Sequence, residues 1–211
     1  MDISLLLNVF LHLDVYLGEL IKQYSTGIYI IIFLVVFVET GLVIMPFLPG
    51  DSLLFAVGSF AALGSLILYF SLAILSVAAI LGDSVNYFVG QRFGRKIFKK
   101  NRRFLDVKHL EMTERFYQKH GAKTIILARF APFIRTFAPF VAGVGNMNYF
   151  KFFFYNIIGG LAWVFLFVLS GYWFGNIPFV KDNFSIFILG IIFVSLLPLI
   201  INVINHYLGK K

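Results

Sequence analysis

The sequence predicts an all-α membrane protein: an inverted repeat with two proline-broken re-entrant hairpins, about four full spans and amphipathic surface helices. Three observations predict it. Of 211 residues, 60% are hydrophobic and 18% aromatic, against 13% charged. A soluble domain of this size cannot bury that much apolar surface, so the bilayer is part of the solvent. Two apolar stretches, VETGLVIMPFLPGDSLLF and LARFAPFIRTFAPFVAGVG, each hold two prolines, glycine and ionisable side chains. Irregular backbone is tolerated at membrane depth only where protein or water satisfies it, so both stretches read as hairpins lining a cavity. The basic residues are also concentrated. From Arg92 to Lys123, eleven Lys or Arg stand against Asp106, Glu111 and Glu114, a local excess equal to the net charge of the whole chain, +8. Such a cluster between apolar segments marks a cytoplasmic loop, with anionic lipid headgroups as its neighbours rather than nucleic acid.

The elements follow in order within one membrane domain. Residues 1–25 predict an amphipathic interfacial helix, because Ser4, Asn8, His12, Glu19, Lys22 and Gln23 share one stripe opposite Leu, Ile, Val and Phe. This opening has no basic n-region or small-residue cleavage site, so it does not read as a cleaved signal peptide. The first repeat, 27–91, begins with a span over 27–45 that contains Glu39. An outward-opening hairpin follows over 46–64, broken by Pro46, Pro49 and Gly50, and then a span over 66–91 interrupted by Asp83 and Asn86. The basic segment 92–123 holds a surface helix in which Asp106 is the N-cap and Gly121 the stop. The second repeat, 124–183, opens with an inward-opening hairpin over 124–146, broken at Pro132, and continues in a span over 150–175. Residues 184–211 complete the chain with a last span over 184–207 and a basic tail. Counting spans from the cytoplasmic loop places both termini in the cytoplasm.

An internal echo agrees with that count. Pro46-Phe47 followed by Val57-Gly58 parallels Pro132-Phe133 followed by Val144-Gly145, and Gly90 to Gly94 parallels Gly171 to Gly175. By the charge argument one of these glycine motifs ends inside and the other outside, as an inverted repeat requires. Such repeats place their site where two broken segments meet.

Glu39, Asp51, Arg129 and Arg135 carry the chemistry. An ionisable group at membrane depth is costly unless paired or wetted and is a functional candidate by default. Apolar surroundings disfavour the charged form of a carboxyl, so Glu39 and Asp51 are suited to proton coupling. Asp51 is equally suited to cap the helix that follows it. Arg129 and Arg135, six residues apart around Pro132, keep their charge, and each planar fork matches phosphate or carboxylate oxygens. The four groups can form salt bridges between the hairpins or a substrate clamp, and in a carrier one set of residues can do both in turn. Asp83 is a secondary candidate with pairing or capping as its other roles. Tyr87, Trp163, Tyr172 and Trp173 read as packing or interface aromatics. His12, His109, His120 and His206 fall in surface helices or tails, and Cys is absent, so neither a metal site nor a cofactor is expected. A His-dependent lipid phosphatase is disfavoured on the same ground, and the chain does not read as an enzyme.

The stretch from Glu39 through Pro46-x-x-Pro49-Gly50-Asp51-Ser52, Gly82-Asp83 with Gly90-x-x-Phe93-Gly94, and Arg129-Phe130-x-Pro132-x-x-Arg135-Thr136 resembles the DedA family. These proteins are also called SNARE-associated or VTT proteins. The segment Phe116 to Gly121 and the run from Ala142-Gly143 to Met147 add to the likeness, which covers roughly residues 35–160. Pro139 is assigned no role. The resemblance implies two facing re-entrant hairpins, with the acidic pair Glu39 and Asp51 in the first and the arginine pair Arg129 and Arg135 in the second. It also implies lipid movement across a bilayer: undecaprenyl phosphate or phospholipid in bacteria, dependent on a proton or sodium gradient. The expectation is therefore a lipid translocase of the bacterial inner membrane, with a transporter of a small anionic solute or drug as the alternative. Oligomeric state is left open.

Overall fold

The computed structural model describes residues 13–42, 50–94, 121, 123–130 and 132–175, with positions 177, 178, 180 and 190. All regular structure among them is helical. Helix α1 (Leu13–Tyr24) passes through a 3-10 turn, Ser25–Gly27, into α2 (Ile28–Gly41). Helix α3 is Gly50–Ala62, and α4 (Leu68–Val89) runs into a π-helical turn, Gly90–Gly94. After the basic segment come α5 (Lys123–Ala128), α6 (Pro132–Val144) and α7 (Tyr149–Phe174).

Among the described residues two helices, Leu68–Phe93 and Tyr149–Phe174, are long and apolar enough to cross a bilayer. Each presents an exposed apolar stripe at helical spacing: Phe70, Val77, Leu81, Val85 and Phe88 on the first, and Phe150, Phe154, Ile158, Leu161 and Phe165 on the second. Large side chains left outside the fold in such rows find their apolar partner in lipid. Within the expected first span, 27–45, the described residues hold the 14-residue apolar helix α2, which ends at Gly41, and residues 43–45 lie outside the described residues. The expected last span, 184–207, lies outside the described residues except at Gly190, as do Pro46, Pro49 and the surface helix of the basic segment. Gly121 does have the left-handed backbone of a helix stop, φ 71°. α1 keeps the expected amphipathic character, with Leu17 buried and Glu19, Lys22 and Gln23 exposed.

The short helices match the proline breaks. α3 has 13 residues and α5 only 6, both well below the roughly 20 needed to span. α5 stops in a turn at Arg129–Phe130, and α6 starts at Pro132, where a missing N–H and a fixed φ cost nothing. Asp51 is in the first turn of α3, one position inside the helix rather than at the N-cap, because the helix already begins at Gly50. A carboxylate there still faces the positive end of the helix dipole.

The chain divides into two compact units, one of Met1–Phe33, Pro49–Leu75 and Val164–Lys211, the other of Leu34–Leu48 and Ser76–Trp163. In the first, α3 crosses the C-terminal part of α7 at bare backbone. A Cβ on Gly58 would lie 2.8 Å from Tyr172 N, and one on Gly171 would lie 2.8 Å from the Phe55 carbonyl carbon. In the second, α6 crosses the end of α4 in the same way: a Cβ on Gly143 would lie 2.8 Å from Gln91 N, and one on Gly90 would lie 2.9 Å from the Phe140 carbonyl carbon. The glycine that matches Gly58 by contact is thus Gly143, not the Gly145 that the sequence pairs with it. Contact with the partner backbone sets the correspondence, and Gly145 lies past the end of α6. Around this second crossing Tyr87, Ile125, Ala128, Ala138, Ala142 and Phe152 form a core.

Candidate functional site

Among the described residues of the second unit, four charged side chains are buried. Glu39 is wholly enclosed near the end of α2, Asp83 is in the middle of α4, Arg129 is in the turn after α5, and Arg135 is in the first turns of α6. They form two ion pairs: Arg135 Nη2 donates to Glu39 Oε1, and Arg129 Nη2 donates to Asp83 Oδ2. The sequence set Glu39 and Asp51 against the two arginines. The structure pairs Arg129 with Asp83, the pairing role the sequence also allowed for Asp83, and so adds Asp83 to the buried charge cluster.

Local sequence explains how these groups meet. Gly41 and Gly82 let α2 and α4 touch: a Cβ on Gly41 would lie 3.4 Å from Gly82 O, and one on Gly82 would lie 2.9 Å from Phe37 O. That crossing brings the Glu39 and Asp83 stretches together. The arginines are delivered by the break at Pro132, which puts Arg129 before it and Arg135 after it.

The rest of the shell is polar and was missed. Asn156, fully buried in α7, accepts from Arg129 Nη2 through Oδ1, while its Nδ2 donates to Ile80 O at 3.0 Å and to Ser84 Oγ at 3.4 Å. Arg129 Nη2 also reaches Ala79 O at 3.3 Å. The Gly159-Gly160 pair makes room for this side chain, since a Cβ on Gly159 would lie 3.1 Å from Arg129 Cδ. A lone amide in the apolar run FFFYNIIGG is the signal that could have found Asn156. Trp163 is packing, as expected, but of a specific kind. Its indole lies 5.2 Å from Arg135 Cζ and 6.0 Å from Arg129 Cζ, so the negative π face takes both cations. Trp173, by contrast, is exposed, and Tyr87 is enclosed with its hydroxyl donating to Met147 O.

With all four groups ionised this cluster has no net charge, and each guanidinium is held by a carboxylate. Arg129 Nε is buried with no hydrogen-bond partner among the described residues. Such a cluster can trade a carboxylate for another oxyanion without changing its donors. Asp51 is also buried, but belongs to the first unit. No group of three or more metal-ligating side chains occurs among the described residues.

The VTT domain matches residues 48–173. Protein DedA of Escherichia coli (strain K12) is 51% identical over 207 residues, 97% of this chain and 94% of that protein. A membrane protein of Mycobacterium leprae is 44% identical over 178 residues, 84% of this chain and 80% of its own. Inner membrane protein YqjA of Escherichia coli (strain K12) is 35% identical over 152 residues, 72% of this chain and 69% of its own. No solved structure matches. With half the residues of a relative shared over nearly the full length, this chain belongs to the DedA family of VTT-domain membrane proteins.

Proposed function

We propose that the protein is a lipid translocase of the bacterial inner membrane, moving undecaprenyl phosphate or a phospholipid without covalent change. The observation that carries this reading is the pair of buried arginines, each held by an intramembrane carboxylate and both against Trp163. A phosphate entering between Arg129 and Arg135 competes with Glu39 and Asp83 for the same donors. One monoanionic headgroup brings one negative charge to a neutral cluster. Uptake of a proton by Glu39, or by Asp51 or Asp83, restores neutrality, so headgroup binding and protonation favour one another. A sodium ion can play the same balancing part. The lipid tails stay in the bilayer beside the exposed stripes of α4 and α7.

The architecture that suits this work is an inverted repeat with two re-entrant hairpins, centred on Pro46-Pro49-Gly50 and on Pro132. The two alike glycine crossings, Gly58 with Gly171 and Gly143 with Gly90, support that reading. In this arrangement both termini are cytoplasmic, and the two hairpins open to opposite sides.

The test is reconstitution in liposomes that carry labelled undecaprenyl phosphate or a labelled phospholipid, with outside label destroyed by a quencher or enzyme. Wild type is expected to expose inner-leaflet label well above protein-free liposomes, and Arg129→Ala to lose most of that activity. A pH or sodium gradient is expected to bias the final distribution. If lipid movement matches empty liposomes while a small oxyanion such as inorganic phosphate crosses, the protein is a solute transporter and the lipid reading is wrong.

A further inference from the structure

Two unlike links join the same pair of segments. Glu39 on α2 and Arg135 on α6 are joined by an ion pair, which a proton or a competing anion can open. One residue further along each segment, the carbonyls of Thr40 and Thr136 share a single donor group. Asn86 Nδ2, fully buried on α4, lies 3.2 Å from Thr40 O and 2.7 Å from Thr136 O. Both facing atoms are carbonyl oxygens, so the amide must turn its nitrogen toward them. The Thr40 carbonyl also has a local reason to need a donor from outside its helix. α2 ends at Gly41, and the last carbonyls of a helix have no intrahelical N–H.

We infer that Asn86 is a neutral clasp: a positioning residue that keeps the Glu39 and Arg135 segments in register while the ion pair between them is open. This deepens the translocation reading and rests on it for the claim that the pair opens. A side-chain amide neither gains nor loses a proton where carboxylates titrate, so the event that opens the ion pair leaves the clasp closed. The charges then change partners and the backbone stays in place. The other end of the amide fits this role. Asn86 Oδ1 is buried and has no hydrogen-bond partner among the described residues. A buried acceptor without a donor is unfavourable, but this end of the amide makes no hydrogen bond that opening the ion pair could break.

The chain has no Cys, so two introduced cysteines carry spin labels cleanly. Labels at Leu42 and Phe137, both exposed, report the separation of the two segments by pulsed electron paramagnetic resonance in nanodiscs. Wild type and Glu39→Ala are expected to give the same narrow distance distribution, since the clasp survives loss of the ion pair. Asn86→Asp, which cannot donate to both carbonyls, is expected to broaden it. If Asn86→Asp does not fold, Asn86→Ser is measured in its place. A narrow distribution in the Asn86 variant, or a Glu39→Ala distribution as broad as that variant's, overturns the clasp. The same proteins are then assayed for lipid movement. The Asn86 variant is expected to move lipid roughly tenfold more slowly, with half-saturation for the lipid unchanged. Wild type that moves no lipid overturns the translocation reading, whereas the distance measurement decides the clasp by itself.

Discussion

At the scale of single residues, the site is defined by what each charge would lose if its partner were removed. Glu39 and Arg135 are both buried, so Glu39→Ala leaves a cation without its carboxylate in a dry setting. Breaking one side of a buried pair typically costs about 3–5 kcal/mol, whereas replacing both partners with apolar groups is often neutral or stabilising. Glu39→Ala is therefore expected to lower the melting temperature in detergent more than the double change Glu39→Leu with Arg135→Leu. Equal losses would mean that the pair is not a closed unit. Trp163 allows a second check. Trp163→Leu removes the ring face from two guanidiniums, each contact worth roughly 0.5–2 kcal/mol, while Trp163→Phe keeps a weaker face. The expected order of stability and of lipid movement is Trp, then Phe, then Leu. The residue set was largely legible in the sequence, since Glu39, Asp83, Arg129 and Arg135 are ionisable groups in apolar runs. Their pairing was not. Asp83 meets Arg129 where Gly159 and Gly160 leave room for the arginine side chain, a contact that spacing along the chain does not encode.

At the scale of elements, bare backbone sets the geometry. At Gly143 a Cβ would fall against the Tyr87 carbonyl and lie 2.8 Å from Gln91 N, so the crossing of α6 and the end of α4 must move apart to admit it. Gly64 is different: its φ of 76° strains an L-residue, yet a Cβ there meets nothing within 4 Å. Gly143→Ala is expected to destabilise by about 1–3 kcal/mol or more through overpacking, and Gly64→Ala by about 1 kcal/mol through backbone strain alone. Thermal unfolding of the two variants checks the order, and a smaller loss at Gly143 would contradict this crossing. The sequence marked the breaks at Gly50 and Pro132 because glycine and proline act locally. The apolar run from residue 27 marked α2, whose last helical residue is Gly41. The sequence placed the matching glycine at Gly145, because a Val-Gly match carries no information about which face meets the partner helix. Asn156 escaped notice for the same reason: a single amide in an apolar helix shows its role only through what lies opposite.

For the whole molecule, the central claim is that a neutral cluster of two arginines and two carboxylates recognises a phosphate on a lipid and exchanges partners as the lipid crosses. In that claim the exposed apolar rows on α4 and α7 are the surfaces for the lipid tails, and the enclosed charges are the source of headgroup selectivity. Composition and the basic run from Arg92 to Lys123 made the membrane setting legible, because both are sums over many residues. The most direct measurement compares two lipids with the same tail in reconstituted liposomes: undecaprenyl phosphate and its neutral dimethyl phosphate ester. Protein-dependent movement is recorded for wild type and for Arg135→Ala. The account predicts that wild type accelerates the anionic lipid far more than the neutral ester, and that Arg135→Ala removes the difference. Equal acceleration of both lipids by wild type, or an undiminished preference in Arg135→Ala, would contradict it.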